Sequence, residues 1–556
     1  MPEEPTAAIR PKFSAVAAPV ERPLPLWILY PLLFVSVYLS HWSLLRLPYF
    51  WDEAGYYIPA ALDFFRTGSL VPHSTLTNAH PPLPSILLAG WWHIAGTAIN
   101  GTRTFVCMVS AAALLGGFRL TRLLAGSMVA AIVTLLTALY PVWFAQSTLA
   151  HADIFAATFT LWALSFYFER FLRPASWKQR TLVAVLFSLA ALSKETAIIT
   201  PLALGLWEVV GYVLPADRTL RSARISATWL SALLVPALPL ALWYLYHFHK
   251  TGFIFGNPEF LRYNATANMS VSRVLVSLWH RIIHLTLHMN MFVPVVATVA
   301  ALLMPLAGWG RHATRAHKPV LMALAVVLAG NAIAFSILGG ALLTRYLLPM
   351  YPLVLLICVA IWQSRTDRTG RLLIGLTALT AAAFLSALWV NPPYAFAPED
   401  NLTYRDMVVL HQQAVSLIAK QYPYATVLSA WPATAEMQYP DLGYTRAAIK
   451  VVPIDNFSEE QVRKAADEPG AYDTALVFST KWAPAAGAVN LARASESTDA
   501  RYFDFHHDLS PAEVAALLRG QVVWQGRRHG EWAAVLRFPR SVEARLQPPA
   551  TRPNPL

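Results

Sequence analysis

The sequence predicts a polytopic α-helical membrane protein that ends in a small α/β domain outside the membrane. Three observations carry this. Apolar runs of roughly 18–25 residues recur between positions 25 and 390, and as helix that length crosses about 30 Å of hydrocarbon. Of 556 residues, 56% are hydrophobic and only 13% are charged, about half the charged share of a soluble domain. Beyond position 395 the pattern changes to short strands and amphipathic helices.

Taken in order, the runs are 25–46, 103–122, 126–145, 152–172, 180–193, 196–214, 225–247, 276–305, 319–338, 345–362 and 372–390, about eleven spans. Residues 1–24 form a polar N-terminal tail, expected to be cytoplasmic. No small-residue cleavage site follows the first run, which reads as a retained anchor. The formal charge of +12 does not point to nucleic acid, because Lys and Arg cluster in short loops between the runs. Cys107 and Cys358 lie inside apolar runs and read as packing residues rather than a disulfide or a metal pair.

Segment 81–98 is long enough to cross, yet a crossing there would put the later basic loops outside. Left at the surface, it gathers the basic loops 119–122, 170–180, 218–224, 311–318 and 365–371 on the side of the N-terminal Arg10, Lys12 and Arg22. The positive-inside rule therefore favours an interfacial or re-entrant helix. The loops 47–102, 146–151, 193–196, 248–275 and 339–345 then face outward together with the C-terminal part. In that part 426–431, 447–454 and 475–480 read as strands, 404–422 and 459–467 as helices, and 522–525 with 532–537 as a final hairpin. The division is 1–24, tail; 25–394, membrane domain; 395–540, extracytoplasmic α/β domain; 541–556, a Pro- and Arg-rich disordered tail.

The outward loops hold nearly every unusual polar residue. The first carries Tyr49-Phe50-Trp51-Asp52-Glu53-Ala54-Gly55-Tyr56-Tyr57, followed by His80-Pro81-Pro82-Leu83-Pro84. Carboxylates at a membrane edge are costly to desolvate and point to function; the plain alternative is that Asp52 N-caps a helix over 53–66 with Glu53 in its first turn. This loop, in this order after a first membrane helix, resembles the GT-C superfamily of membrane glycosyltransferases. Its nearest branch is the protein O-mannosyltransferase and lipid A aminoarabinose transferase group (glycosyltransferase family 39-like). The resemblance covers about residues 25–395 and implies a GT-C-like membrane domain with juxtamembrane helices in the first outer loop. It further implies a polyprenyl-phosphate sugar donor, an inverting displacement and an Asp of the first outer loop as base, which matches Asp52. Glu53 is the second candidate.

Such a transfer needs a base, cations for the leaving phosphate and a groove for the prenyl chain. His151-Ala152-Asp153 resembles the family's second acidic motif, with His151 where an Arg is often found; Asp153 as a helix-opening acid is the alternative. Lys194-Glu195 reads either as a local ion pair or, through Lys194, as a phosphate partner. Thr344-Arg345-Tyr346-Leu347-Leu348-Pro349 is similar to the family's late motif, so Arg345 and Tyr346 are expected at the lipid phosphate; snorkelling is the alternative for Arg345. His80 and Arg262 are weaker phosphate-binding candidates. His280, His284 and His288 share a helical face and suggest a divalent metal, although no carboxylate accompanies them in sequence. No cofactor is required and no metal ligand is assigned.

The expected function is transfer of a monosaccharide from a polyprenyl-phosphate donor to a lipid, protein or glycan acceptor at the outer face of a bacterial cytoplasmic (inner) membrane. The alternative is a multi-span transporter or flippase of lipid-linked or small substrates. Paired halves with broken helices at the midplane would favour the alternative.

Overall fold

A computed structural model describes residues 25–213, 220–256, 270–305, 318–338, 341–366, 369–482, 496–503 and 506–538. The tails 1–24 and 541–556 and the candidate Arg262 lie outside the described residues.

Four described helices are long and apolar enough to cross a membrane: Ile99–Ala125, Ala227–Thr251, Pro319–Leu338 and Thr344–Arg365. The pair Val271–Asn290 and Phe292–Leu302, bent by 98°, passes the same test together, as a broken span or a re-entrant loop. Shorter apolar helices, Leu26–Ser40, Ser127–Leu139 and Arg371–Ala387, fall on further expected runs, and some of the runs are interrupted. The reason is local. The run 126–145 breaks at Tyr140, whose extended backbone (ψ 125°) separates Ser127–Leu139 from Pro141–Gln146. The run 276–305 breaks where Met289 and Asn290 take positive φ values of 47° and 65°. Helix Ala152–Glu169 is apolar on every side and is enclosed by its neighbours rather than by lipid.

Helices Ile99–Ala125 and Ala152–Glu169 form the centre of the bundle. Gly116 permits the approach, since a Cβ there would sit 2.9 Å from Trp162 Cδ1. Arg119 closes the far end by pairing with Glu169 at 2.6 Å and lying over the Phe166 ring. The uncertain segment 81–98 is the 13-residue helix Leu83–Ala95, about 20 Å long and short of a span. It is pinned to the bundle by Trp92 Nε1, which donates to Thr102 Oγ1 at 2.8 Å, and by Trp91 Nε1, which donates to the Gly101 carbonyl at 2.9 Å.

The C-terminal part is a five-stranded sheet of β1 (Thr426–Ala430), β2 (Lys450–Ile454), β3 (Thr474–Phe478), β4 (Gln521–Arg528) and β5 (Glu531–Arg537) in the order β2-β1-β3-β5-β4. β1 pairs in parallel with β2 and β3, while β3–β5 and β5–β4 are antiparallel. The final hairpin turns at His529 and Gly530, both with positive φ. Helix Thr403–Gln421 covers one face of the sheet. The expected strands and helices are all present, with ends shifted by a few residues.

This sheet domain is fastened onto the first outer loop by the segment following β1. Tyr439 Oη donates to the Ser74 carbonyl (2.8 Å) and Arg66 pairs with Asp441 (2.7 Å). Tyr49 N donates to the Leu442 carbonyl, and Tyr444 Oη to the Tyr49 carbonyl. Trp431 packs edge-on against Trp51 and tilts over Tyr56. It occupies the space a side chain at Gly55 would need: a Cβ there would lie 2.4 Å from Trp431 Nε1.

Candidate active site

The loop after the first helix turns sharply at Trp51 (φ 46°) and then winds through a five-residue π-turn, Glu53–Tyr57, into helix Ile58–Thr67. A bulky residue in the left-handed region is unusual, and single π-turns concentrate at functional sites. The helix-capping alternative for Asp52 fails, because its side chain makes no capping bond. Its carboxylate instead accepts a hydrogen bond from Arg345 Nη2. At 18% side-chain exposure Asp52 is more accessible than Glu53, Asp153 or Glu399.

Glu53 is placed differently. It is fully buried, and Oε1 accepts from Ala150 N (2.6 Å) and Arg103 Nη1 (3.2 Å), Oε2 from Phe50 N (2.8 Å) and Arg103 Nη2 (3.1 Å). Arg103 also donates to the carbonyls of Leu47, Pro48 and Thr148. The pair clamps the loop of Asp52 to the turn that precedes helix Ala152–Glu169, and every lone pair of Glu53 is committed. That geometry suits positioning rather than proton transfer.

Arg345 lies on a 3-10 turn, Thr344–Met350, that opens helix Tyr351–Arg365. The turn is held by Thr344 Oγ1 donating to Asp400 and by Tyr351 Oη donating to the Thr344 carbonyl. Besides Asp52, Arg345 reaches His151 Nδ1 through Nη1 at 2.7 Å. The same ring nitrogen lies 2.9 Å from Gln146 Oε1, so His151 sits between Arg345 and the Gln146 side chain. Nε lies 3.1 Å from Glu399 Oε1 and 3.8 Å from Asp153 Oδ2. One buried cation thus stands among three carboxylates. Burial pushes the Glu399 carboxyl up to about 8, against the opposing pull of Arg345.

Asp153 is paired to Lys194 at 2.6 Å, and the ammonium also rests 3.9 Å above the Tyr346 ring. The local Lys194–Glu195 pair considered from sequence is not formed. Glu195 turns to His80 Nδ1 (2.8 Å), whose ring stacks on Tyr57. His80, Tyr57, Tyr56, Thr77, Leu70 and Trp243 line a small, partly open cleft. Asp52, Asp153, Lys194, Arg345, Tyr346 and, one ring further, His80 therefore come together from four loops.

Among the histidines, His288 does have a carboxylate partner, Asp400 at 3.0 Å, a correction to the sequence reading. Among the described residues no three His, Cys, Asp or Glu side chains converge as a metal would need. Cys107 and Cys358 are free and buried. Sequence reasoning missed Glu399, Asp400 and Arg103. The first two form an acidic pair just beyond an apolar run, the same signal that singled out Asp52 and Glu53.

The model of the family described as dolichyl-phosphate-mannose-protein mannosyltransferase matches residues 79–244. The fold is similar to that of ArnT from Cupriavidus metallidurans bound to undecaprenyl phosphate, with a TM-score of 0.52 and 14% identity over 91% of this chain and 98% of that one. The apo state of the same protein gives 0.52 and 15%, over 91% and 97%. An oligosaccharyltransferase from Archaeoglobus fulgidus also matches, with a TM-score of 0.48 and 12% identity over 82% of this chain and 68% of that one. No curated protein sequence gives a significant match. The resemblance to the GT-C membrane glycosyltransferases read from the sequence is borne out.

Proposed function

We propose that this chain is a membrane glycosyltransferase that moves a monosaccharide from a polyprenyl-phosphate donor to an acceptor in a single inverting displacement. The observation that carries the reading is the contact between Asp52 and Arg345, the expected base and the expected phosphate partner, brought together from positions 293 residues apart. Arg345 offers the planar fork that suits phosphate oxygens. A donor phosphate taking that edge releases Asp52 from its partner and leaves the carboxylate to accept the acceptor's proton. Lys194, held by Asp153 against Tyr346, supplies a second positive charge where negative charge grows on the leaving phosphate. The cleft beside His80 and Tyr57 offers open space next to the cluster for a substrate group. Similarity over residues 79–244 to mannosyltransferases and the fold of ArnT support the donor class. The gathering of basic loops on the side of the N-terminal tail supports a site and a sheet domain on the outer side of a bacterial cytoplasmic membrane.

The test is a reconstitution of the full chain in nanodiscs with polyprenyl-phosphate sugars and an envelope extract. The expected result is release of polyprenyl phosphate together with a labelled acceptor. Movement of the lipid across a bilayer with no sugar transferred would replace this reading with the transporter one.

A further inference from the structure

Helix Val271–Thr286 has two faces. Leu275, Trp279 and Ile282 are exposed on one, the surface a bilayer would cover. The other carries Arg273, Ser277 and Arg281 at successive four-residue steps, with His284 beyond them, and all four are buried. Arg273 and Arg281 are each 0% exposed and, among the described residues, neither forms an ion pair. Their acceptors are backbone carbonyls alone: Ile337 at 3.4 Å for Arg273, Leu343 at 2.8 Å and Ala341 at 3.3 Å for Arg281. Among the described residues, Arg273 Nε and Nη2, Ser277 Oγ, Arg281 Nε and His284 Nδ1 have no hydrogen-bond partner.

A buried guanidinium without a counter-charge is among the most costly arrangements in a fold, and at membrane depth it marks a site whose partner must be named. Here two permanent cations and a hydroxyl lie along about 12 Å of one helical face. No carboxylate answers them among the described residues, so the missing partner is an anion with several acceptor oxygens. The row also leads to the site already described. Arg281 lies 5.7 Å from the centre of the Tyr346 ring, the ring that Lys194 contacts from 3.9 Å and Arg345 from 6.0 Å.

We infer that the Arg273–Ser277–Arg281 face is a second anion site, separate from Arg345 and Lys194, that binds the phosphate of a lipid. The lipid character, though not the anion, rests on the proposed function. Two sources share this chemistry: the polyprenyl phosphate leaving after transfer, and a phosphorylated lipid acceptor.

The experiment is calorimetric titration of the full chain in nanodiscs of zwitterionic lipid, with farnesyl phosphate in one arm and a short-chain phosphatidic acid in the other. The wild-type chain is expected to take two equivalents of at least one probe, and the probe that fills the second site identifies the source. Arg273→Gln should weaken one of the two sites about ten- to a hundredfold, the loss expected for a charge-assisted hydrogen bond. It should leave the other site intact. Arg345→Ala should show the reverse. Arg273→Lys, which keeps the charge and loses the fork, should fall between wild type and Arg273→Gln. A single equivalent of each probe in the wild-type chain overturns the inference without reference to any variant, as does retention of both sites in Arg273→Gln. Two sites in a chain that transfers no sugar would count against the proposed function alone; sugar transfer with one site would count against this inference alone.

Discussion

The Arg345 guanidinium is bonded to the Asp52 carboxylate, and that one contact ties the expected phosphate partner to the expected base. It makes the two residues alternative partners of one another and of substrate. Arg345→Ala should therefore weaken binding of a polyprenyl phosphate by about ten- to a hundredfold, as for a lost charge-assisted bond. Arg345→Lys should restore only part, because an ammonium lacks the fork. Titration of folded, monodisperse protein checks this, and equal affinity in all three chains would remove Arg345 from the site.

Glu53 and Arg103 form a fully buried pair in which Glu53 has four donors. Removing one partner of such a pair typically costs about 3–5 kcal/mol, because the other charge stays buried and unpaired. Glu53→Gln should accordingly lower the melting temperature sharply, while the fraction that remains folded keeps most of its transfer rate. The contacts with Arg103, Phe50 and Ala150, rather than the place of Glu53 beside Asp52 in the chain, set this expectation. Unchanged stability with lost transfer would return Glu53 to the list of proton acceptors.

Much of the site was legible from the chain itself. Asp52, Asp153, Lys194 and Arg345 each stand out as a charge at the edge of an apolar run, and desolvation makes such a charge conspicuous. Which charge meets which was not legible. Lys194 is adjacent to Glu195 in sequence yet pairs with Asp153, because the extended backbone at Lys194 sends neighbouring side chains to different partners. Glu399 escaped notice because its meaning depends on Arg345, 54 positions earlier on a separate turn. An apolar run shows that a segment is buried, not whether lipid or protein does the burying, as helix Ala152–Glu169 illustrates.

Gly55 is the point where the sheet domain reaches the loop of Asp52. A methyl group there would lie 2.4 Å from Trp431 Nε1, well inside van der Waals contact, and the indole itself is wedged between Trp51 and Tyr56. Gly55→Ala should destabilise the chain by about 1–3 kcal/mol, the usual cost of overpacking, and slow transfer by shifting the Asp52 loop. Adding Trp431→Ala removes the obstacle, so the double variant should melt above Gly55→Ala alone. Simple additivity of the two losses would show that the sheet domain does not set this loop.

Glu399 gives a pH dependence with a definite sign. Its carboxyl moves from an ordinary 4.5 to about 8 on folding, chiefly through burial. A raised value means the folded state holds the proton more tightly, so this stabilisation is full below about pH 4.5 and is lost as pH rises through about 8. Glu531, buried in the sheet domain and also pushed up to about 8, acts in the same direction. Thermal melts should therefore fall between about pH 5 and pH 9. Glu399→Gln should flatten part of that decline, and Glu399→Gln with Glu531→Gln should flatten more. A slope unchanged in both would assign the pH dependence elsewhere.

The sharpest test falls on Asp52, whose carboxylate has two separable duties. It accepts from Arg345, which needs only an oxygen, and under the proposed mechanism it takes a proton, which needs a basic group. Asp52→Asn keeps the size and an acceptor oxygen for Arg345, and no helix cap is lost because none is made. Arg345 meanwhile retains Glu399 and His151 as neighbours. The variant should insert, purify and melt close to the parent and bind a polyprenyl phosphate at least as well, since one competitor for Arg345 has lost its charge. Its transfer rate should drop by about 10²–10⁴-fold, the usual contribution of a general base. Asp153→Asn should behave differently. It leaves Lys194 buried without its counter-ion, so stability and donor affinity should both suffer before the chemical step does. Turnover in Asp52→Asn within a few-fold of the parent would eliminate Asp52 as the base.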